Sequence, residues 1–352
     1  MAAPVAAPSV RGAASDDTWE STVELNPTPI LDIASGARRA RLLFAAADVG
    51  VFGALAEAPA TGEEVRARLG LHREGVGDLL AGLEALGLVE RRDGRYHNGP
   101  AAGRYLVPGR PEFLGGFLDF LDHTLHPAWD GLATSLRSGE PANAQAGAGD
   151  PYAPVHADPT SRTAFFDAMD VLNAPIGAAL AELDWSGFEH VVDVGGARGN
   201  IAVHLVKAHP HLRVTVFDLP DVRPAFEAHV VDNDRVTFAG GDFFTDPLPA
   251  ADAVLFGHVL HNWPVERRRF LAQAAFRAVR PGGAAFVYDP MLDPDRPQLP
   301  NVLASLNMLV WSAGGAEYTF ADAATWFTDA GFATVSHAPL VATTSLLTAR
   351  KE

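Results

Sequence analysis

The rhythm of hydrophobic and polar positions changes twice along this chain. From about Ile30 to Pro108 apolar residues recur at helical spacing. Within that span Thr61 followed by Glu64 predicts a capping box, and Gly70 closes a short helix. A second helix is predicted from about Arg73 to Leu86, ending at Gly87, and LVERRDGRYHN predicts a hairpin turning at Asp93-Gly94. Helix, helix and hairpin in that order suggest a winged helix within residues 19–108. From 109 to 183 the spacing stays helical but the apolar positions become aromatic, with Phe113, Phe117, Phe120, Trp129, Phe165 and Phe166. Such residues pack as ordinary core or together wall a pocket for a flat apolar ligand. The stretch PANAQAGAGDPYAP, 141–154, reads as a surface loop.

From Glu189 onward the pattern turns to short β-rich runs: HVVDVG, RVTVFDL, VTFAGGDF, ADAVLFG and AAFVYDP, separated by helical segments. Strands alternating with helices predict a doubly wound α/β domain over 184–352, its parallel sheet covered on both faces. Ligands of such sheets bind at the carboxyl ends of the strands, near the switch point. In VVDVGGARGN, Gly195, Gly196 and Gly199 let the backbone pass close to a ligand, while Ala197 and Arg198 depart from an ideal dinucleotide loop. The next strand ends in FDLP, placing Asp218 roughly 20 residues on, where an acid holds ribose hydroxyls. With no basic group for a pyrophosphate, a nucleoside ligand is favoured over NAD. Asp242 in GDFF can accept from an adenine amino group, and Phe243 can cover the ring.

Composition narrows the function classes. The formal charge of −16 would repel nucleic-acid phosphates, and the second helix of the winged-helix pattern carries little positive charge. Dimerisation is therefore a better expectation for that region than DNA binding. No cysteine is present, so disulfides and thiolate chemistry are excluded and a cytoplasmic setting is expected. The first 18 residues, rich in Ala and Pro, read as a disordered tail, and no run of about 18 apolar residues predicts a membrane span. His204, His209 and His211 approach a ligand cluster, but HLVKAHPH reads as a solvent-facing turn, and no metal is expected.

The set VVDVGGARG, FDLP, GDFF, VLHNW, RPGG and GGAEYT occurs in the order found in S-adenosylmethionine-dependent methyltransferases. The chain resembles the branch of that family typified by plant caffeate O-methyltransferases and their bacterial relatives in natural-product biosynthesis. The resemblance covers nearly the whole chain, and it implies a homodimer with a Rossmann-like catalytic domain that uses S-adenosyl-L-methionine. It implies that His261 of VLHNW is the general base, oriented by Asp289 in VYDP and Glu317 in GGAEYT. A neutral imidazole, of pKa near 6.5, takes a phenolic proton of pKa near 10 only as the oxygen attacks the methyl carbon. Cofactor contacts are expected from Asp193, Gly195, Gly196, Gly199, Asp218, Leu219, Asp242, Phe243, Gly257 and His258, and acceptor contacts from Phe165, Met169, Asn307, Met308 and Trp311.

Several positions depart from the family pattern. Asn262 replaces the usual aspartate after the histidine, Tyr318 replaces the arginine after the glutamate, and Gly257 stands where plant members carry a cofactor-contacting lysine. His258 either compensates for that lysine or caps its turn. The acceptor implied is a hydroxyl on an aromatic or polyketide-like small molecule. The rivals are carbon or nitrogen methylation of an electron-rich ring, a relative that has lost methyl transfer, and a ligand-sensing DNA-binding regulator.

Overall fold

The computed structural model of this chain describes residues 26–143 and 159–352. The tail expected at 1–18 and most of the loop expected at 141–154 lie outside the described residues. The N-terminal region is built from α1 (Thr28–Asp48), α2 (Val51–Glu57), α3 (Gly62–Leu69) and α4 (Val76–Ala85). The hairpin β1 (Val89–Arg92) and β2 (Arg95–Asn98) follows, then α5 (Pro100–Tyr105). The capping box is present, with Thr61 Oγ1 accepting from Glu64 N and Glu64 Oε2 accepting from Thr61 N at 2.7 Å. α4 starts later than the expected Arg73 because Gly75, at φ 93°, lies outside the helical region. Asp93 and Gly94 both adopt positive φ, as a tight two-residue turn between twisted strands requires. Phe52, Val65, Leu80, Leu83 and Val89 fill one core beneath these elements.

The chain continues through α6 (Gly115–Phe120), a π turn at Leu121–Leu125, α7 (His126–Asp130) and α8 (Leu132–Ser138) to the long α9 (Pro159–Ala181). The C-terminal domain comprises β3 (His190–Val194), α10 (Asn200–Ala208), β4 (Arg213–Asp218), α11 (Arg223–His229), β5 (Val236–Gly240), β6 (Ala251–Gly257) and α12 (Val265–Ala278). It ends with β7 (Val279–Asp289), α13 (Leu299–Trp311), α14 (Phe320–Ala330), β8 (Thr334–Val341) and β9 (Thr344–Arg350).

Seven strands form one sheet in the order β5-β4-β3-β6-β7-β9-β8, a Rossmann-like arrangement. The five strands expected from sequence are mutually parallel, whereas β9 inserts antiparallel beside β7 and pairs with the edge strand β8. The sheet is therefore mixed. Its two C-terminal strands form a tight hairpin around Ala342, and a two-residue turn permits only antiparallel neighbours. Ile201, Leu205 and Val206 of α10 pack on one face, and Leu271 of α12 with Trp326 and Phe327 of α14 on the other. α9 spans two environments, its Phe165 and Phe166 in an aromatic cluster and its Ile176 and Leu180 in the core of the sheet.

Strand order reverses between β3 and β6, so a crevice opens over their carboxyl ends. Gly257 at the end of β6 pairs with Tyr288, and a Cβ there would fall 1.8 Å from Tyr288 Cζ. Gly257→Ala is expected to destabilise the protein by about 1–3 kcal/mol, because a buried ring has to move. A fall in the urea midpoint at constant m-value measures it.

Candidate functional site

Beyond Gly257 the chain makes a sharp turn, with His258 at φ 52° and a 3-10 turn at Leu260–Asn262. Asn262 Nδ2 donates to the His258 carbonyl at 2.8 Å and fastens this turn. His261 is thereby held in the crevice and is 7% exposed. Its Nδ1 lies 2.6 Å from Glu317 Oε1 and 3.6 Å from Asp289 Oδ1, which leaves Nε2 as the ring atom to meet a ligand. The three residues assigned to proton transfer therefore converge, from elements up to 56 positions apart.

Both carboxylates are deeply buried. Asp289 accepts from the Tyr318 hydroxyl at 2.5 Å through Oδ2, while its Oδ1 faces Nδ1 of His258 and of His261, each at 3.6 Å. Burial works to raise the Asp289 carboxyl, but His261, His258 and Tyr318 together hold it below the usual carboxylate range. Burial raises Glu317, and its hydrogen bond to His261 only partly offsets this. For His261, burial is the largest influence and pushes the imidazole down, yet the combined pull of Asp289 and Glu317 lifts it to about 9. Without a ligand the ring is a cation at neutral pH.

The nitrogens of His258 and His261 and an oxygen of Asp289 lie within 4.8 Å of one another. Within this trio His261 Nδ1 already lies 2.6 Å from Glu317 Oε1. Of the three histidines read as a solvent-facing turn, His211 is exposed in a turn with Pro210, as expected, whereas His204 and His209 are half-buried. His204 packs against α9 at Gly177, His209 Nε2 lies 2.8 Å from the Ala181 carbonyl and His211 Nε2 3.2 Å from the Trp185 carbonyl. These rings tie α10 and the following loop to the end of α9.

The glycine turn lies on the other side of the switch point. Gly195 and Gly199 have φ of 71° and 87°, which favour glycine. A Cβ on Gly196 would fall 2.5 Å from Asp193 Oδ2, so the turn folds directly over that carboxylate. Asp193 is 2% exposed and its Oδ2 has no hydrogen-bond partner. Burial and the neighbouring Asp218 raise its carboxyl to about 7. Asp218 accepts from Ala197 N at 2.8 Å and from Leu219 N at 2.7 Å, so the expected ribose ligand also braces the turn. Asp242 accepts from Phe244 N at 2.8 Å, and Phe243 packs edge-on against Phe244 and Trp263 at the rim.

The expected acceptor wall is assembled from three helices. Phe120 of α6 stands edge-on to Phe165 of α9 at 5.0 Å and to Trp311 of α13 at 5.4 Å. Met169 and Ala197 join the cluster around Phe165, which places this wall against the glycine turn. Met308 is buried near Gly315, in the segment leading to Glu317. Asn307 accepts from Trp129 Nε1 at 3.0 Å, a structural use for part of its amide.

Sequence reasoning missed three partners of these residues. Tyr318 supports Asp289, as described. Arg268 is 3% exposed and donates to the carbonyls of Trp263 and Ala316, both at 2.6 Å. It stitches the His261 turn to the Glu317 segment. Arg198 binds Asp167 at 2.7 Å and, through Nε, Asp170 at 2.6 Å, tying the glycine turn to the helix that carries Phe165 and Met169. Arg268→Met is expected to cost about 2 kcal/mol or more by stranding two carbonyls. It is also expected to raise the His261 pKa measured by NMR titration, because the guanidinium is a nearby positive charge that disfavours the imidazolium.

Comparison with known proteins places these features. Residues 129–333 match the model of the O-methyltransferase domain, and residues 31–108 that of the O-methyltransferase dimerisation domain. The chain is 43% identical over 315 residues to the tetracenomycin polyketide synthesis 8-O-methyl transferase TcmO of Streptomyces glaucescens, covering 88% of this chain and 92% of that protein. It is 40% identical over 285 residues to the N,N-dimethyltransferase OxyT of Streptomyces rimosus, covering 79% and 82% respectively. Human N-acetylserotonin methyltransferase in complex with SAM superposes with a TM-score of 0.84 at 30% identity, over 94% of this chain and 99% of that one.

Proposed function

Because the chain belongs to the O-methyltransferase family and is an S-adenosylmethionine-dependent methyltransferase, we propose that it methylates a hydroxyl of an aromatic, polyketide-like small molecule with His261 as general base. The observation that carries this reading is the buried His261 imidazole held through Nδ1 by Glu317, with Asp289 beside it. Cofactor binding fits the residues present. The turn at Gly195 and Gly196 is a cradle that any side chain would fill, and Asp193 is a buried carboxylate in want of a cation. When bound, the cofactor supplies an electrophilic methyl group on a positively charged sulfur.

The chain's own residues do the rest. Asp218 holds the ribose end, and Phe120, Phe165, Met169, Met308 and Trp311 hold a flat acceptor. His261 Nε2 takes the hydroxyl proton as the oxygen attacks. The imidazolium formed is stabilised by Glu317 and Asp289, the same carboxylates that raise its pKa. A base with a pKa of about 9 is largely protonated at neutral pH, so the arrival of a positive sulfur is important. A sulfonium bound beside it would disfavour the imidazolium by like charge, and His261 Nε2 would then hold a free lone pair.

The winged-helix-like region over 19–108 serves as the dimer contact, 109–183 carries the acceptor wall and 184–352 the cofactor site. This reading is supported by the helix, helix, hairpin order and by the dimerisation-domain match at 31–108. Among the described residues no helix is long and apolar enough to cross a membrane, and the cysteine-free chain suits a reducing cytoplasm. Nitrogen methylation is the second reading, favoured by the likeness to OxyT.

Incubation with methyl-deuterated S-adenosylmethionine and a panel of polycyclic phenols and aromatic amines, followed by product mass spectrometry, separates these readings. The expected result is label on oxygen, with kcat reduced about a hundred- to ten-thousandfold in His261→Ala. Label on nitrogen would favour the second reading, and undiminished labelling in the mutant would remove His261 from its role.

A further inference from the structure

Methyl transfer as described leaves Tyr288 without a role. This residue sits one position before Asp289 on β7, is paired with Gly257 of β6 and is 4% exposed. Its ring packs with the core beneath the sheet and stands edge-on to His258 at 5.3 Å. A Cβ on residue 257 would fall 1.9 Å from the Tyr288 hydroxyl oxygen and 2.4 Å from Cε1. The phenol therefore lies directly over the glycine, and its hydroxyl stands where a side chain from position 257 would begin. Burial raises this phenol well above its ordinary value, with the carboxylates of Asp193 and Asp289 adding to the effect as nearby charges. It therefore keeps its proton and is available only as a donor to a ligand oxygen or as a weak acceptor.

The geometry of a sulfonium decides what such a donor can meet. Sulfur in S-adenosylmethionine bears three carbon arms: the methyl, the ribosyl group and an aminobutyrate chain. Asp218 at the end of β4 takes the ribosyl arm and His261 beyond the end of β6 faces the methyl. β3 lies between these strands, and there Asp193 Oδ2 is buried without a partner. The third arm, which ends in an ammonium and a carboxylate, needs one acceptor and one donor, and the Tyr288 hydroxyl, reaching over Gly257, feels the charge of Asp193.

We propose that Tyr288 positions the cofactor, its hydroxyl donating to the carboxylate of the aminobutyrate arm while Asp193 accepts from the ammonium. Tyr288 in this way supplies from β7 a polar contact that glycine at 257 cannot supply from β6. The assignment rests on the reading of the crevice as the cofactor site. Gly257 and Tyr288 form one unit: a bulkier residue at 257 and a tyrosine at 288 exclude each other.

Calorimetric titration of the purified protein with S-adenosylhomocysteine and with 5′-methylthioadenosine, which lacks the amino-acid arm, tests this. Tyr288→Phe is expected to weaken S-adenosylhomocysteine binding about tenfold, as loss of a hydrogen bond to a charged group does, and to leave 5′-methylthioadenosine affinity unchanged. Unchanged affinity for S-adenosylhomocysteine would overturn the proposal. An equal loss for both ligands would also overturn it, by marking a structural defect. Failure of the wild-type protein to bind either ligand would instead overturn the reading of the crevice itself.

Discussion

Everything at this site depends on negative charge buried at the carboxyl ends of the central strands. Asp193, Asp289 and Glu317 are each at most 4% exposed. A buried carboxylate is tolerated only when it is paired, hydrogen-bonded or protonated. His261 and Tyr318 satisfy Asp289 and Glu317 in part, whereas Asp193 Oδ2 has no hydrogen-bond partner. On the proposed reading, a ligand with both a sulfonium and an ammonium group supplies the opposite charge.

The same constraint explains the supporting residues. An imidazole under the pull of two carboxylates has to be held in one orientation, or its proton would be shared with the wrong partner. Arg268 achieves this by joining the two segments that carry His261 and Glu317. Arg198 does the equivalent between the glycine turn and α9, so the turn and the aromatic cluster around Phe165 are fastened to each other. Glycines at 195, 196 and 257 keep the surface over these carboxylates thin, each for a different neighbour: Val259, Asp193 and Tyr288.

Much of this was legible in the sequence because periodicity and turn chemistry are local. The capping box at Thr61, the turn at Asp93-Gly94 and the strands ending at Val194, Asp218, Gly257 and Asp289 follow from residues within a few positions of one another. His261, Asp289 and Glu317 came from resemblance, and no spacing rule would have joined them. What escaped notice was pairing at long range. Tyr318 looked like a lost arginine and proved to be a hydrogen-bond donor to Asp289, 29 residues away. Arg198 looked like a flaw in a glycine loop and proved to be an ion-pair partner of Asp170, 28 residues away. The antiparallel entry of β9 beside β7 was equally hidden, since a strand's apolar pattern does not state its direction.

The central claim is that His261 acts as a base whose pKa is set by its carboxylate partners, and the pH dependence of kcat/KM for S-adenosylmethionine tests it most directly. A group with a raised pKa is inactive as a base below that pKa and active above it. In the wild-type enzyme kcat/KM should therefore climb with pH and level off above about 9, the value at which free His261 loses its proton. Glu317→Gln removes one of the charges that hold the proton, so the inflection should move to lower pH, toward the ordinary imidazole value near 6.5. An inflection at the same pH in both proteins, or a rate that is flat across this range, would contradict it.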